Sequence, residues 1–219
     1  MSTAAKSEGG GWAVTVMRWL GWLTAPVEIG LAFLLGLLAG GVVLGFAPAC
    51  RAAVAMSRAQ LTPEGDGTPW RDAVTAWRSS FWSSQRRLAP WGLVALVLST
   101  EIILAFLGVL PGGWVVSVPL LLFGGYFVRA LALRVVLMDP PRNALPVEVP
   151  WRAAIVLPAV KVGSTLILFP VCVAVLLLLL AQPAIGITFG PGLVMLTATW
   201  LAVRDLETLG PRITEHHHK

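Results

Sequence analysis

Two ionisable side chains, Glu101 and Arg129, stand inside long apolar runs. At the centre of a bilayer such a group costs at least about 2.5 kcal/mol on insertion scales, so it must be paired, protonated or turned into a bundle. Glu101 lies ten residues before Pro111. At about 1.5 Å per residue this is about 15 Å from the nearer end of its run. Arg129 lies fifteen residues after Trp114, about 22 Å from the same boundary. The tight Pro111-Gly112-Gly113 connection makes the two runs neighbours, and a long arginine side chain can largely span the remaining gap of about 7 Å. Two arrangements are open: an intramembrane Glu101–Arg129 pair, or Arg129 snorkelling to the interface while Glu101 stays protonated. A third charge, Lys161, falls at the interface when its depth is counted back from Ala181, and Pro158 breaks any longer helix before it.

Other chemistry has little to stand on. The three histidines are His216, His217 and His218, a terminal run resembling a tag remnant or flexible tail, so no serine or cysteine has an imidazole close in sequence. There is no P-loop, HExxH, CxxC or paired-carboxylate motif. Glu64 and Asp66 in a glycine-rich loop read as solvated charges rather than a calcium site, and Cys50 and Cys172 as small packing residues. No catalytic residue, metal site or cofactor is expected, and the chain is read as non-enzymatic.

The elements that must position these residues follow from composition. Of the 219 residues 57% are apolar and only 12% charged, whereas soluble domains carry about 25% charged residues. An all-α, polytopic membrane bundle is expected, with spans at about 28–47, 91–110, 114–138, 162–181 and 185–203. The net charge of +5 fits basic loops facing the cytoplasm rather than nucleic acid. Eleven arginines fall in three connecting or terminal regions, Arg51 to Arg87, Arg134 to Arg152, and Arg204 with Arg212. These place the amino terminus outside and the carboxyl terminus inside a plasma membrane. Trp91, Trp114, Trp151 and Trp200 sit near span ends, as an aromatic belt requires.

Two interfacial helices complete the expected layout: one in an amino-terminal unit of residues 1–25, with Trp12, Val16, Trp19 and Leu23 on one face, and a cytoplasmic one over 70–87. No secretory signal is read at the amino terminus, and residues 204–219 form a carboxyl-terminal tail after the bundle of 26–203. In the 70–87 helix Trp70, Val74, Trp77 and Phe81 make an apolar stripe flanked by Arg71 and Arg78, a surface for lipid or a partner protein. Gly36 with Gly40, and Gly41 with Gly45, form GxxxG patterns that allow close helix packing in the bundle or between protomers. Gly190-Pro191-Gly192 reads as a kink in the last span, with the interrupted helix of a transporter as the sharper alternative.

The stretch carrying Gly45, Pro48-Ala49, Ala52, Arg58, Trp70-Arg71-Asp72, Trp77-Arg78 and Phe81 resembles the YesL-type family of bacterial integral membrane proteins, over about residues 12–110. That resemblance implies a multi-pass plasma-membrane protein of unknown activity, with some relatives encoded beside carbohydrate-uptake and polysaccharide-degradation genes. It brings no ligand or catalytic residue. Two functions are carried forward: an accessory protein contacting a sugar-uptake complex or a second copy of itself, and a small transporter or channel using Glu101 and Arg129.

Overall fold

The computed structural model describes residues 11–61, 69–79, 81–106, 108, 114–138 and 151–216. They form α1 (Gly11–Ala39), α2 (Val42–Leu61), α3 (Pro69–Ser79), α4 (Phe81–Phe106), α5 (Trp114–Met138), α6 (Trp151–Val160), α7 (Val162–Leu166), α8 (Leu168–Ala181) and α9 (Pro183–His216). Five stretches are long and apolar enough to cross a membrane: Trp19–Ala39, Phe81–Ala105, Val115–Met138, Val162–Ala181 and Pro183–Thr208. The chain is an all-α polytopic bundle. Its outer faces carry exposed apolar side chains such as Leu96, Val97, Val115, Leu177 and Leu180, a surface suited to hydrocarbon rather than water.

Several boundaries differ from the sequence reading. The amino-terminal amphipathic segment and the first span are one helix, α1, which runs through Pro26 and stops at Ala39 rather than at 47. Gly41 then takes a positive φ of 66°, a conformation that L side chains resist, and α2 packs back along α1. A Cβ on Gly45 would lie 2.2 Å from the Leu37 carbonyl oxygen, and one on Gly40 2.5 Å from the Gly45 Cα. Gly36 approaches Ala49 and the Trp77 ring. Gly36, Gly40 and Gly45 therefore pack helices and Gly41 makes the turn, inside one helical hairpin rather than along one continuous span. Further from the turn, Gln60 donates to the Glu28 carboxylate at 3.2 Å.

The second difference concerns α2, which lies where the sequence reading places the end of the first span and the arginine-rich connection beginning at Arg51. It is the most enclosed helix, with Ala47, Pro48, Ala49, Cys50, Ala52, Ala53, Val54, Met56 and Ser57 all buried. Helices α1, α3, α4, α5 and α9 all pack against it. Small side chains let helix backbones approach where lipid supplies no hydrophobic drive to bring them together. Ser57 donates to the Ala53 carbonyl at 2.7 Å within the helix, and Arg51 to the Ser84 hydroxyl of α4 at 3.1 Å.

The expected 70–87 helix lies in α3 and α4, on either side of Ser80, and does not end at Arg87. Its first part is α3; its second part opens α4 and continues through Pro90 into the second span. The helix α9 continues through Gly190-Pro191-Gly192, so the alternative of an interrupted last span does not hold. Gly192 serves a crossing: a Cβ on it would lie 1.7 Å from the Pro26 carbonyl oxygen, and one on Gly30 1.9 Å from that of Thr188, while Gly190 faces Val175 of α8. The backbones of α1 and α9 meet directly.

Gly45→Ala should therefore destabilise the protein by at least about 2 kcal/mol, whereas Gly21→Ala, with nothing within 4 Å of the added carbon, should stay within about 0.5 kcal/mol. Denaturation of the two variants in detergent measures the difference, and equal midpoints would contradict the close hairpin.

Candidate functional site

The strongest polar feature is built where the chain breaks its own helix. Pro158 sits near the end of α6, and Lys161 leaves helical geometry with φ −97° and ψ 57° before α7 begins. The break makes the Pro158 carbonyl available to a side chain, while the Lys161 carbonyl still accepts the Thr165 backbone N–H at 3.2 Å. Thr165 donates to the Pro158 carbonyl at 2.9 Å, and Ser164 to that of Lys161 at 3.0 Å.

Arg129 enters this region from α5 and is 1% exposed. One terminal nitrogen donates to the Lys161 carbonyl at 3.1 Å and to the Thr165 hydroxyl. The other donates to the Ser164 hydroxyl at 2.6 Å and forms an ion pair with Asp205 of α9. Lys161 reaches the second Asp205 oxygen at 3.0 Å and the Thr208 hydroxyl at 2.6 Å. Thr208 in turn donates to the Asp205 carbonyl at 2.9 Å. Each of the three hydroxyls both accepts and donates, so the network is closed on itself.

Arg129 does not pair with Glu101. On α5 the face toward α4 is marked by Gly124, which meets Leu98 and Ile102, and by Phe127, whose ring lies 5.6 Å from that of Trp91. Arg129 follows Phe127 by two residues, about 200° around a helix, and so points the other way, to α7 and α9. Glu101, half-buried on α4, makes no hydrogen bond or ion pair among the described residues. Lys161, expected as an interface anchor, is a member of the cluster with its side chain 29% exposed.

Asp205 escaped the sequence reading because the last span was ended at 203 and the next residues assigned to a tail. A signal existed: Ala198, Leu201, Ala202 and Asp205 follow i, i+3, i+4, i+7 spacing, and all four are buried. The cluster offers one carboxylate to two cations, one of them a guanidinium, which is not deprotonated in proteins. Its geometry suits structure: it pins α5, the α6–α7 break and α9 together.

The aromatic–basic surface is also rearranged. Trp77 turns inward, its indole N–H donating to the Gly36 carbonyl at 3.2 Å, with the Phe81 ring 5.3 Å away. These two residues fasten α3 to the bundle and are not an open contact surface. Trp70, Arg71, Val74 and Arg78 remain exposed on α3, and Trp82 at the start of α4 is 73% exposed. Glu64 and Asp66 lie outside the described residues, as do His217 and His218; among the described residues no group of His, Cys, Asp or Glu is arranged to hold a metal.

A closed bundle with apolar outer faces and a compensated charge cluster defines a polytopic α-helical membrane protein. Within it, residues 27–102, about a third of the chain, match the family described as "Protein of unknown function, DUF624". The YesL-like proteins are members of that family, so the resemblance read from this stretch stands. The match covers the carboxyl-terminal part of α1, the hairpin, α2, α3 and most of α4, and stops short of Arg129, Lys161 and Asp205. No curated protein and no solved structure matches the chain significantly.

Removing Asp205 strands two cations, so Asp205→Ala should cost about 3–5 kcal/mol, and adding Arg129→Met to it should recover a substantial part. Glu101→Gln should stay within about 1 kcal/mol. A double-mutant cycle by denaturation in detergent checks this; additive costs at Arg129 and Asp205 would contradict the pair.

Proposed function

We propose that the chain is a non-enzymatic accessory protein of a bacterial inner membrane that binds a partner through the outer face of α3. One observation carries the reading. A short helix fastened to the bundle on its Ala73 and Trp77 side leaves Trp70, Arg71, Val74 and Arg78 uncovered, with Trp82 beside them. A rigidly held aromatic and arginine surface of this kind concentrates binding energy in few residues. The arginine distribution supports a cytoplasmic position for this face, with the amino terminus outside and the carboxyl terminus inside. A sugar-transport complex as the partner rests on the family resemblance.

A second reading, a small transporter, is favoured by the helix break at Lys161 within reach of the buried Arg129 and Asp205. The two readings differ in whether water passes the cluster. Thr199 lies six residues before Asp205 on α9 and is fully buried. In a background lacking Cys50 and Cys172, Thr199→Cys should resist membrane-impermeant thiol reagents under the accessory reading and react with them under the transport reading.

A photo-crosslinking residue at position 74 should capture a discrete protein in native membranes, and Trp70→Ala with Arg71→Ser should reduce that product at least about tenfold. The same probe at position 76, on the side of α3 facing the bundle, should capture none. Crosslinks to lipid alone from position 74 would overturn the partner reading.

A further inference from the structure

A second charged feature lies away from the Asp205 cluster. A cavity of about 570 Å³ opens between α4, α5 and α6, lined by Arg87, Pro90, Trp91, Val94, Phe127, Arg134 and Ile155. Its lining follows helix periodicity. On α4, Arg87, Trp91 and Val94 share one face; on α5, Phe127 and Arg134 are two turns apart on another. The helices run antiparallel, with Trp91 against Phe127 and Leu98 against Gly124. Both arginines therefore fall at the same end, and the apolar wall rises about 10 Å from them along each helix. The remaining wall, Ile155 on α6, is fixed by Tyr126, which donates to the Ile155 carbonyl at 2.6 Å.

Among the described residues no carboxylate pairs with the cationic end. Arg87 acts on Arg134 as a like charge. The Nε of Arg134 is buried without a hydrogen-bond partner, and neither guanidinium makes a hydrogen bond or ion pair among the described residues. Two repelling guanidiniums above an apolar, aromatic-lined groove form a site whose complement is an anion joined to a hydrocarbon tail.

We propose that this groove is a binding site for an anionic phospholipid, with the phosphate held between Arg87 and Arg134 and an acyl chain laid along Trp91, Val94, Phe127 and Ile155. A phosphate diester offers oxygens to both guanidinium forks at once, which arginine recognises better than any other side chain. Pockets of this volume commonly hold a ligand of lipid or drug size. Basic pockets between spans on the cytoplasmic side are suited to anionic headgroups. The groove is separate from the α3 face, so its occupancy does not depend on the partner proposed there.

Native mass spectrometry of the delipidated full-length protein tests the assignment. Phosphatidylglycerol should be retained at least about tenfold more tightly than phosphatidylcholine. The Arg87→Gln/Arg134→Gln variant should lose that preference, and Arg152→Gln, on the exposed start of α6, should keep it. Val94→Trp, which fills the groove and leaves both charges, should also weaken phosphatidylglycerol binding. Inorganic phosphate should fail to displace the lipid. Equal retention of the two lipids, a preference surviving in both the double variant and Val94→Trp, or full displacement by phosphate would overturn the proposal.

Discussion

The compensation of one guanidinium inside the bundle is the constraint around which the carboxyl-terminal half is arranged. An arginine that is 1% exposed can be tolerated only if its donors are met, because an uncompensated buried charge costs several kcal/mol. Meeting them requires more than Asp205. The chain also interrupts a helix at Lys161, where the Pro158 carbonyl takes the Thr165 hydroxyl and both Ser164 and Thr165 are brought to the guanidinium. The break between α6 and α7 is thus part of the electrostatic solution. Lys161 then occupies the second carboxylate oxygen, so α5, α7 and α9 share one polar node.

The amino-terminal half is held by a different means. In hydrocarbon, apolar side chains gain little by leaving lipid for one another, and close backbone contact takes over. The α1–α2 hairpin, the α1–α9 crossing at Gly30 and Gly192, and the alanine-rich α2 are all expressions of that contact. Trp77 and its hydrogen bond to Gly36 extend the same packing to α3. This stretch carries the family match, whereas the charge node lies beyond it. The two halves join through α9, which packs on α1 and α2 as well as on α5 and α8.

Legibility varied with the strength of the physical signal. The helix Trp114–Met138 was readable because a Gly-Pro turn and polar segments bracket an apolar run. The role of α2 was not, since alanine scores low on hydropathy and Arg51 and Arg58 suggest a loop, although its small residues are what permit burial. Arg129 stood out as a charge that needed a partner, yet adjacency of spans does not say which face of α5 it occupies. Its actual partner sits at the end of the last span, where a charge looks ordinary. Trp77 illustrates the same limit: its type and spacing mark an interface, and only the Gly36 contact tells that the interface is internal.

The central claim is that Arg129 is compensated by Asp205 and not by Glu101. Solid-state NMR in bilayers, with ¹⁵N in the Arg129 guanidinium and ¹³C in the side-chain carboxyls of Asp205 and Glu101, measures this directly. Strong dipolar transfer from Arg129 to the Asp205 carboxyl, and none to Glu101, is expected. Transfer to Glu101, with none to Asp205, would contradict it.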